Sequence, residues 1–370
     1  MKNRTSRYER LPRASFVIYG IMGVSAVLYL VFMRSPAFAD WFNGSISRWG
    51  RRLLSMLTVW FPFSLAELLL ILSPVFLTLL IVRAVRVYSE NRKTVLCFLG
   101  KLFAVFCAVG ILFVWCFAPG YYGATLDRKL GLSRETVSAD DLYKTALILT
   151  DQIHALTDEL LIDASGASVM PDSIDEMNAK LMTAYRTFTA DRDFPDHFYS
   201  RVKPVMLSEA MNYTHITGVY AFFTGEANIN VAFPDYCTPF TAAHELAHQR
   251  GVAREDEANF VAFLVCLSSD DSYIRYSGLL NVYEYVMNAL YSADPVLYQA
   301  AFARLDDVAV REERAYAVFF EKYSKNIAAT LSEKTNDLYL QSQGAKEGTK
   351  SYDMVVDLAV AYYRPQFSAD

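Results

Sequence analysis

The sequence predicts a mostly α-helical (α+β) protein, with three transmembrane helices followed by a largely helical domain that contains a small β element. Two observations carry this prediction. Hydrophobic residues make up 53% of the 370 residues and the mean hydropathy is +0.17, which is high for a soluble protein. Helical periodicity dominates the chain after Tyr121, and one short segment of alternating pattern interrupts it.

Three apolar stretches are long enough to cross a bilayer, which takes about 20 residues. They cover about 14–33, 61–82 and 95–118. The first has no charged residue, and the third has only Lys101, which lies near one end and can reach the interface. The second contains Glu67 and two prolines, so a buried core helix is an alternative for it. A signal peptide is the alternative for the first, but its apolar run is longer than a signal core.

The distribution of Lys and Arg predicts the orientation of these helices. Five basic residues lie in the tail 1–13, and the loop between the second and third stretches carries four more, at Arg83, Arg86, Arg92 and Lys93. The positive-inside rule places both segments in the cytoplasm. With three spans, residues 119–370 are then expected outside the cytoplasm.

The first loop, 41–60, weakens this bias because it also carries Arg48, Arg51 and Arg52. Trp and Leu are interleaved with these arginines. This combination predicts an amphipathic helix that lies in the membrane interface.

Charge and cysteine content add little about function. The net charge of −5 gives no indication of nucleic-acid binding. Three cysteines lie in the third apolar stretch as small apolar residues. The other two, Cys237 and Cys266, can pair only if their helices meet, and the sequence leaves this open.

The strongest motif is HELAH at 244–248. On a helix, His244 and His248 are four residues apart and share one face, so both imidazoles can reach one metal ion. Glu245 lies beside them, where a carboxylate can take a proton from a metal-bound water. A polar helix face is the alternative, but the preceding CTPFTAA is small and apolar and predicts a buried helix. Buried His and Glu side chains need partners.

A third ligand is expected shortly after this motif. Gly251 can end the first helix in a left-handed turn, and a second helix can begin near Arg254. In that helix Glu255 and Asn259 share one face, so Glu255 can bind the metal while Asn259 hydrogen-bonds a ligand imidazole. Glu257 is the alternative ligand, and otherwise a group that supports the ligands. The remaining histidines, His154, His197 and His215, have no supporting motif.

HExxH followed by ExxAN resembles the gluzincin metallopeptidases, in which the Glu of the second motif is the third zinc ligand. The resemblance implies zinc held by His244, His248 and Glu255, with Asn259 supporting them. The gap from His248 to Glu255 is much shorter than in the thermolysin-type enzymes. HELAHQRG also resembles the start of the metzincin motif, but Arg254 stands where the third His would be, and Arg is not a zinc ligand.

The whole chain also resembles an uncharacterised bacterial family with three N-terminal membrane helices and a zincin-like domain that carries GEAN, PFT, HELAHQ and EDEANF. Together with the orientation that the Lys and Arg residues predict, this implies a cytoplasmic tail at 1–13, a membrane domain at 14–118, and an extracytoplasmic zincin-like metallopeptidase domain at 119–370. The expected activity is zinc-dependent peptide hydrolysis, with Glu245 as general base. The cofactor would be Zn²⁺, and the partners a peptide or protein substrate and the bilayer.

The alternating segment GVYAFFTGEANINVAF, 218–233, predicts one or two strands, with Gly225 as an interruption. In zincins an edge strand binds extended peptide by main-chain pairing. The candidate here is 224–233, in which Asn228 and Asn230 are expected to hold substrate. An ordinary hairpin is the alternative.

Two further readings of function stay open from the sequence. One is a non-catalytic zinc-binding membrane sensor or binding protein, although a structural site has no use for Glu245. The other is a hydrolase for a different substrate, since the motif fixes water activation and not the bond that is cut. Tyr352 and His215 are candidates to stabilise an oxyanion, and the sequence does not choose between them.

Overall fold

The computed structural model describes residues 10–88, 92–324, 326–343 and 354–367. These residues form a mostly helical structure with one three-stranded sheet, which confirms the predicted fold class. Most of the tail 1–13 and the oxyanion candidate Tyr352 lie outside the described residues. The chain divides into two compact units. The N-terminal unit comprises Met1–Gly123 and Ala221–Gly225, and the C-terminal unit comprises Ala124–Tyr220 and Glu226–Asp370.

The N-terminal unit contains six α-helices among the residues described. They are α1 (Arg13–Phe32), α2 (Pro36–Phe42), α3 (Arg48–Thr58), α4 (Leu65–Tyr88), α5 (Arg92–Cys116) and α6 (Pro119–Tyr122), with a π-helical turn at Asn43–Ser47. Three of these helices, α1, α4 and α5, are long and apolar enough to cross a membrane, with mean hydropathies of 2.1 to 2.5. The three predicted apolar helices are therefore present.

The second of these helices begins later than the sequence suggested. Residues 61–64 are irregular, because Pro62 has no N–H and disfavours a helical residue before it. Glu67 consequently falls in the first turn of α4, where its N–H donates to Ser64 Oγ at 3.0 Å. A carboxylate at this position complements the positive end of the helix dipole. Glu67 therefore lies at one end of the apolar helix rather than in its middle.

Within the N-terminal unit, α1 packs along α5. Tyr19 Oη donates to the carbonyl of Gly100 at 2.5 Å, and Trp115 Nε1 donates to Ser25 Oγ at 2.9 Å. The segment Ala221–Gly225 also belongs to this unit, where Phe222 lies against the rings of Phe113 and Phe117.

The C-terminal unit holds the remaining α-helices and strands in the described ranges, although the last residue of β2, Ala221, is assigned to the N-terminal unit. They are α7 (Leu126–Leu130), α8 (Ala139–Thr157), α9 (Ile174–Phe188), β1 (Val202–Pro204), α10 (Ser208–Asn212), β2 (Gly218–Ala221), β3 (Glu226–Ile229), α11 (Cys237–Gln249), α12 (Glu255–Leu267), α13 (Ser272–Ala293), α14 (Pro295–Phe302), α15 (Asp307–Tyr323), α16 (Ile327–Ser342) and α17 (Val355–Tyr363). Its core lies between α8, α11, α12, α13 and α17, whose inward residues are fully buried.

Local signals explain several helix boundaries. Ser138 and Asp141 form a capping box at the start of α8, and Ser173 and Glu176 form another at the start of α9. The predicted turn after HELAH is present, with Gly251 at φ 94°, and α12 begins four residues later. Cys237 and Cys266 are both free thiols, so the disulfide that the sequence left open does not form.

The sheet order is β1-β3-β2, and β1 pairs with β3 in parallel, with Val202 opposite Ala227. The alternating segment thus forms two strands joined by a short turn, as predicted. The expectation that 224–233 supplies an edge strand is wrong, because β1 pairs with the far side of β3 and makes it the central strand. The edges are β1 and β2.

A buried ion pair joins the two parallel strands. Lys203 Nζ lies 2.5 Å from Glu226 Oε1, and both residues are about 2% exposed. Such a pair compensates two charges that would each be costly to bury alone.

Glu226→Gln is therefore expected to lower the free energy of unfolding by about 3–5 kcal/mol, because it leaves the Lys203 ammonium buried without its counter-charge. Denaturant unfolding in detergent measures this. The double variant Lys203→Met/Glu226→Leu is expected to lose much less. Asp140→Asn, which removes the exposed partner of Lys144, is the control and is expected to change little. Equal losses in the single and double variants would contradict this account.

Candidate metal centre

Helix α11 presents the two histidines of HELAH from a fully buried position. Every residue of Cys237–Gln249 is buried, and the helix packs against β3, α12 and α13. The rings of His244 and His248 lie on one face with their centroids 4.6 Å apart. The four-residue spacing therefore brings both imidazoles to one point inside the core.

Helix α12 adds Glu255 from its first position. Glu255 Oε2 lies 3.2 Å from Nε2 of His244 and 3.2 Å from Nε2 of His248. One donor atom from each of the three residues lies within 4.8 Å of the others, and this is the one His/Cys/Asp/Glu group of that kind in the described ranges. Two imidazole nitrogens and one carboxylate oxygen at this separation can hold a metal ion.

The charges of the three groups are strongly coupled. Burial alone would raise the pKa of Glu255, but the charges and hydrogen bonds of His248 and His244 hold it well below its usual value. Burial would lower the pKa of His248, whereas Glu255 raises it to about 9. The pKa of His244 is lowered, first by burial and then by the neighbouring His248. An ionised carboxylate is thus stabilised between two imidazoles. A metal ion bound there would displace the proton that His248 shares with Glu255, and the resulting two imidazole nitrogens and one carboxylate oxygen are donors that suit divalent zinc.

Groups outside the triad contact both rings. His248 Nδ1 lies 2.7 Å from the carbonyl of Val252, so this nitrogen carries the proton and donates it, which leaves Nε2 as the ligand atom. Asn259 lies beside His244 and donates to Tyr285 Oη at 3.5 Å. The structure therefore places Asn259 beside a ligand imidazole, but its contact is not through Nδ1, the nitrogen from which a supporting group would fix the ring.

Glu245 lies beside the triad but turns towards β2. Its carboxylate accepts a hydrogen bond from the Tyr220 N–H, while Oε2 is buried and has no hydrogen-bond partner among the described residues. Burial raises the pKa of Glu245 to about 8, against the lowering effects of His248 and of the Tyr220 N–H. A buried carboxylate oxygen without a partner is rare unless it serves a ligand.

The other acids at the start of α12 face away from the histidines. Glu257 Oε1 accepts from the Leu126 N–H at 2.9 Å and from Arg254 Nη1 at 3.1 Å. Asp256 Oδ2 accepts from Arg134 Nη2 at 3.3 Å. The structure thus brings Glu255 to the imidazoles and uses Glu257 to hold the segment before α8.

The two asparagines predicted to bind substrate are both buried, Asn228 within β3 and Asn230 directly after it. Asn228 Nδ2 donates to the carbonyls of Val219 and Glu226, both at 3.2 Å. Asn230 Nδ2 donates to Asn212 Oδ1 at 2.8 Å, and its Oδ1 accepts from the Ala232 N–H at 2.9 Å. Because β3 is the central strand, the edge-strand basis for their predicted role is wrong.

The remaining histidines have other contacts. His154 Nδ1 lies 3.0 Å from Asp306 Oδ2 at the surface. His215 Nε2 lies 3.0 Å from the carbonyl of Tyr323, and its ring packs on Phe320. His215 is thus engaged with α15, and His197 is not part of the triad.

Sequence reasoning missed one feature, the close approach of β2 to Glu245. A Cβ atom on Gly218 would lie 2.6 Å from Glu245 Oε1 and 2.7 Å from Cγ, closer than real contacts allow. The only signal was a glycine at the start of the alternating segment, and the pattern did not reveal what lies opposite it.

Metal content is expected to follow the triad. The wild type should bind about one equivalent of zinc, and His248→Ala or Glu255→Ala should abolish binding because each removes one of three protein ligands. Asn259→Ala should weaken the affinity by about 10–100-fold. Metal analysis of the purified protein and competition with a chelator measure both. Glu257→Gln is the matched control and should keep the metal. Loss of the metal in Glu257→Gln but not in Glu255→Ala would contradict the assignment of Glu255 as the third ligand.

The comparisons with known proteins place the chain in a family. No curated protein and no solved structure matches it significantly. The family model described as "Protein of unknown function (DUF3810)" matches residues 42–360, which include α3, α4, α5 and the whole triad. The expectation that the chain belongs to an uncharacterised family is confirmed. Because the match covers most of the sequence, the protein is a member of the DUF3810 family.

Proposed function

We propose that this protein is a membrane-anchored zinc metallopeptidase. The observation that carries the proposal is the buried carboxylate of Glu245, which has one unpartnered oxygen beside the group His244, His248 and Glu255. Three protein ligands leave a fourth tetrahedral position for water, as in catalytic zinc sites. A purely structural site closes that position and has no use for a neighbouring base.

The proposed chemistry assigns a role to each group. His244 and His248 would bind zinc through Nε2, and Glu255 would bind through one carboxylate oxygen. Zinc bound there supplies a Lewis acid that polarises water and a substrate carbonyl. Glu245 accepts the proton released by the attacking water and passes it to the leaving amine. The Tyr220 N–H holds one end of the Glu245 carboxylate and leaves the other end free for this transfer.

The gluzincin resemblance supports this proposal from the sequence side, since HExxH and ExxAN meet in one site. The substrate class proposed is a peptide or protein, with the bilayer as the other partner. The Lys and Arg pattern around the apolar helices supports an extracytoplasmic position for the C-terminal unit. The metal is proposed as zinc because two imidazoles and one carboxylate in a buried site suit it better than oxygen-seeking cations.

Glu245→Gln tests the role of the base. It should keep the metal and lower the rate of peptide hydrolysis by about 10²–10⁴-fold, because the amide cannot accept the proton. Hydrolysis of a peptide library by the detergent-solubilised protein measures this. Glu209→Gln, which changes an exposed carboxylate on α10, is the control and should leave the rate unchanged. Full activity in Glu245→Gln with metal bound would rule out the mechanism.

The absence of a side chain at Gly218 is proposed to set the position of Glu245. Gly218→Ala should keep the metal and lower kcat by about 100-fold with little change in KM, because the new methyl group pushes the carboxylate away from the triad. Steady-state kinetics and metal analysis measure this. Val219→Ala, at the next and half-exposed position of β2, is the control.

A double variant separates this effect from general damage to β2. Glu245→Asp withdraws the carboxylate by one carbon and so removes the Oε1 and Cδ atoms that a Cβ at 218 would strike at 2.6 and 2.9 Å, which relieves part of the clash. Glu245→Asp should therefore cost much less in the Gly218→Ala background than in the wild type. Independent, additive losses would show that Gly218 acts through the strand and not through Glu245.

A further inference from the structure

Helix α3 in the N-terminal unit exposes an apolar stripe. Trp49, Leu53, Met56 and Leu57 all point outward, and Trp60 continues the stripe just beyond the helix end. Their exposed fractions are 59 to 83%. The spacing of 4, 3, 1 and 3 residues places all five on one helical face. No water-soluble surface helix is expected to present such a face to solvent.

The opposite face of α3 is polar and buried. Ser47, Arg51, Ser55 and Thr58 lie on it, and none is more than 8% exposed. Ser47 Oγ donates to the carbonyl of Trp115 at 2.6 Å. Arg51 Nη1 donates to the carbonyl of Cys116 at 2.9 Å and to Asn43 Oδ1 at 2.7 Å. The helix is thus amphipathic in the inverted sense, with its polar side on the protein.

These contacts fix the level of α3 relative to the apolar helices of the same unit. Its polar face binds the carbonyls of the last two residues of α5, which is one of the three helices long enough to cross a membrane. If α5 spans a bilayer, its last turn lies at the boundary between hydrocarbon and headgroups. At about 1.5 Å per residue, the 11 residues of α3 are too short to cross the bilayer themselves.

The charged residues of α3 match the same boundary. The guanidinium groups of Arg48 and Arg52 lie over the Trp49 ring, 5.8 and 5.3 Å from its centroid. Tryptophan is enriched at headgroup level, and long basic side chains reach phosphate oxygens from there. An apolar stripe edged by arginines and tryptophans fits a bilayer surface better than water.

We propose that α3 is an interfacial helix, with its apolar stripe in the lipid and its polar face bound to the end of α5. The apolar stripe therefore contacts the headgroup and upper acyl region of a phospholipid bilayer. The contact adds a fourth membrane attachment to the three apolar helices and fixes the end of α5 at the membrane surface. It does not depend on the metal centre or on the proposed peptidase activity.

Tryptophan quenching in vesicles tests this proposal. Two variants of the full chain keep a single tryptophan, at Trp49 or Trp60, with the others changed to Phe. They are reconstituted in phosphatidylcholine vesicles that carry bromine either near the headgroup end or deep in the acyl chain. Both should lose more emission with shallow than with deep bromine, and both should be protected from iodide in the water. A third variant that keeps only Trp115, whose indole bonds Ser25 between α1 and α5, is the control for lipid contact.

A second placement keeps the probe independent of Trp49 and Trp60, and circular dichroism of the tryptophan-free chain beside the wild type shows whether that background is folded. Leu53→Trp in the tryptophan-free background puts the probe in the middle of the stripe, and it should show the same preference for shallow bromine. Quenching by iodide and not by bromine would show that the stripe faces water. Protection from both would show that a protein, either a second copy or a partner, covers it. Either result would overturn the proposal.

Discussion

The candidate site depends on one contact, between the carboxylate at the first position of α12 and two imidazoles of α11. Glu255 Oε2 is 3.2 Å from both Nε2 atoms, and all three side chains are almost completely buried. An ionised carboxylate in such a place is costly unless its charge is compensated. The turn between the helices therefore has to fix their register. His248 contributes by donating to Val252 within that turn, so the connection that positions Glu255 also fixes the tautomer of a ligand.

The start of α12 also explains why one acid of three faces the histidines. Successive residues of a helix point about 100° apart, so residues at i and i+2 point to nearly opposite sides. Glu255 turns to α11, whereas Glu257 turns to the backbone of Leu126. All three acids complement the positive end of the helix dipole, which favours their presence in the first turn whatever they contact. The choice between Glu255 and Glu257 thus follows from where the helix begins.

Helical spacing was enough to predict the pair His244 and His248 and the position of Asn259, and the length of the uncharged apolar runs was enough to predict the three long apolar helices. The rest depended on contacts between residues far apart in the chain. Strand β1 has only three residues and ends in Pro204, so no periodicity in the sequence predicts it. Its pairing with β3 nevertheless makes β3 the central strand and not an edge strand. The role of Gly218 also depends on a distant residue. Glu245, 27 positions later, fills the space that a side chain at position 218 would need. Spacing predicts which residues share a face and not which face meets which neighbour.

Helix α3 shows the same limit in its clearest form. Amphipathic spacing in the first loop predicted a helix in the membrane interface. Periodicity shows that such a helix has an apolar and a polar face, but it does not show which of the two faces meets the protein. The polar side turns inward here because the last carbonyls of α5 have no partner in their own helix, and Arg51 and Ser47 satisfy them. A guanidinium can be buried there because it meets carbonyl oxygens at the negative end of a helix dipole. Because the polar face of α3 binds the C-terminal end of α5, the apolar face must point outward. Only an apolar environment makes that arrangement favourable.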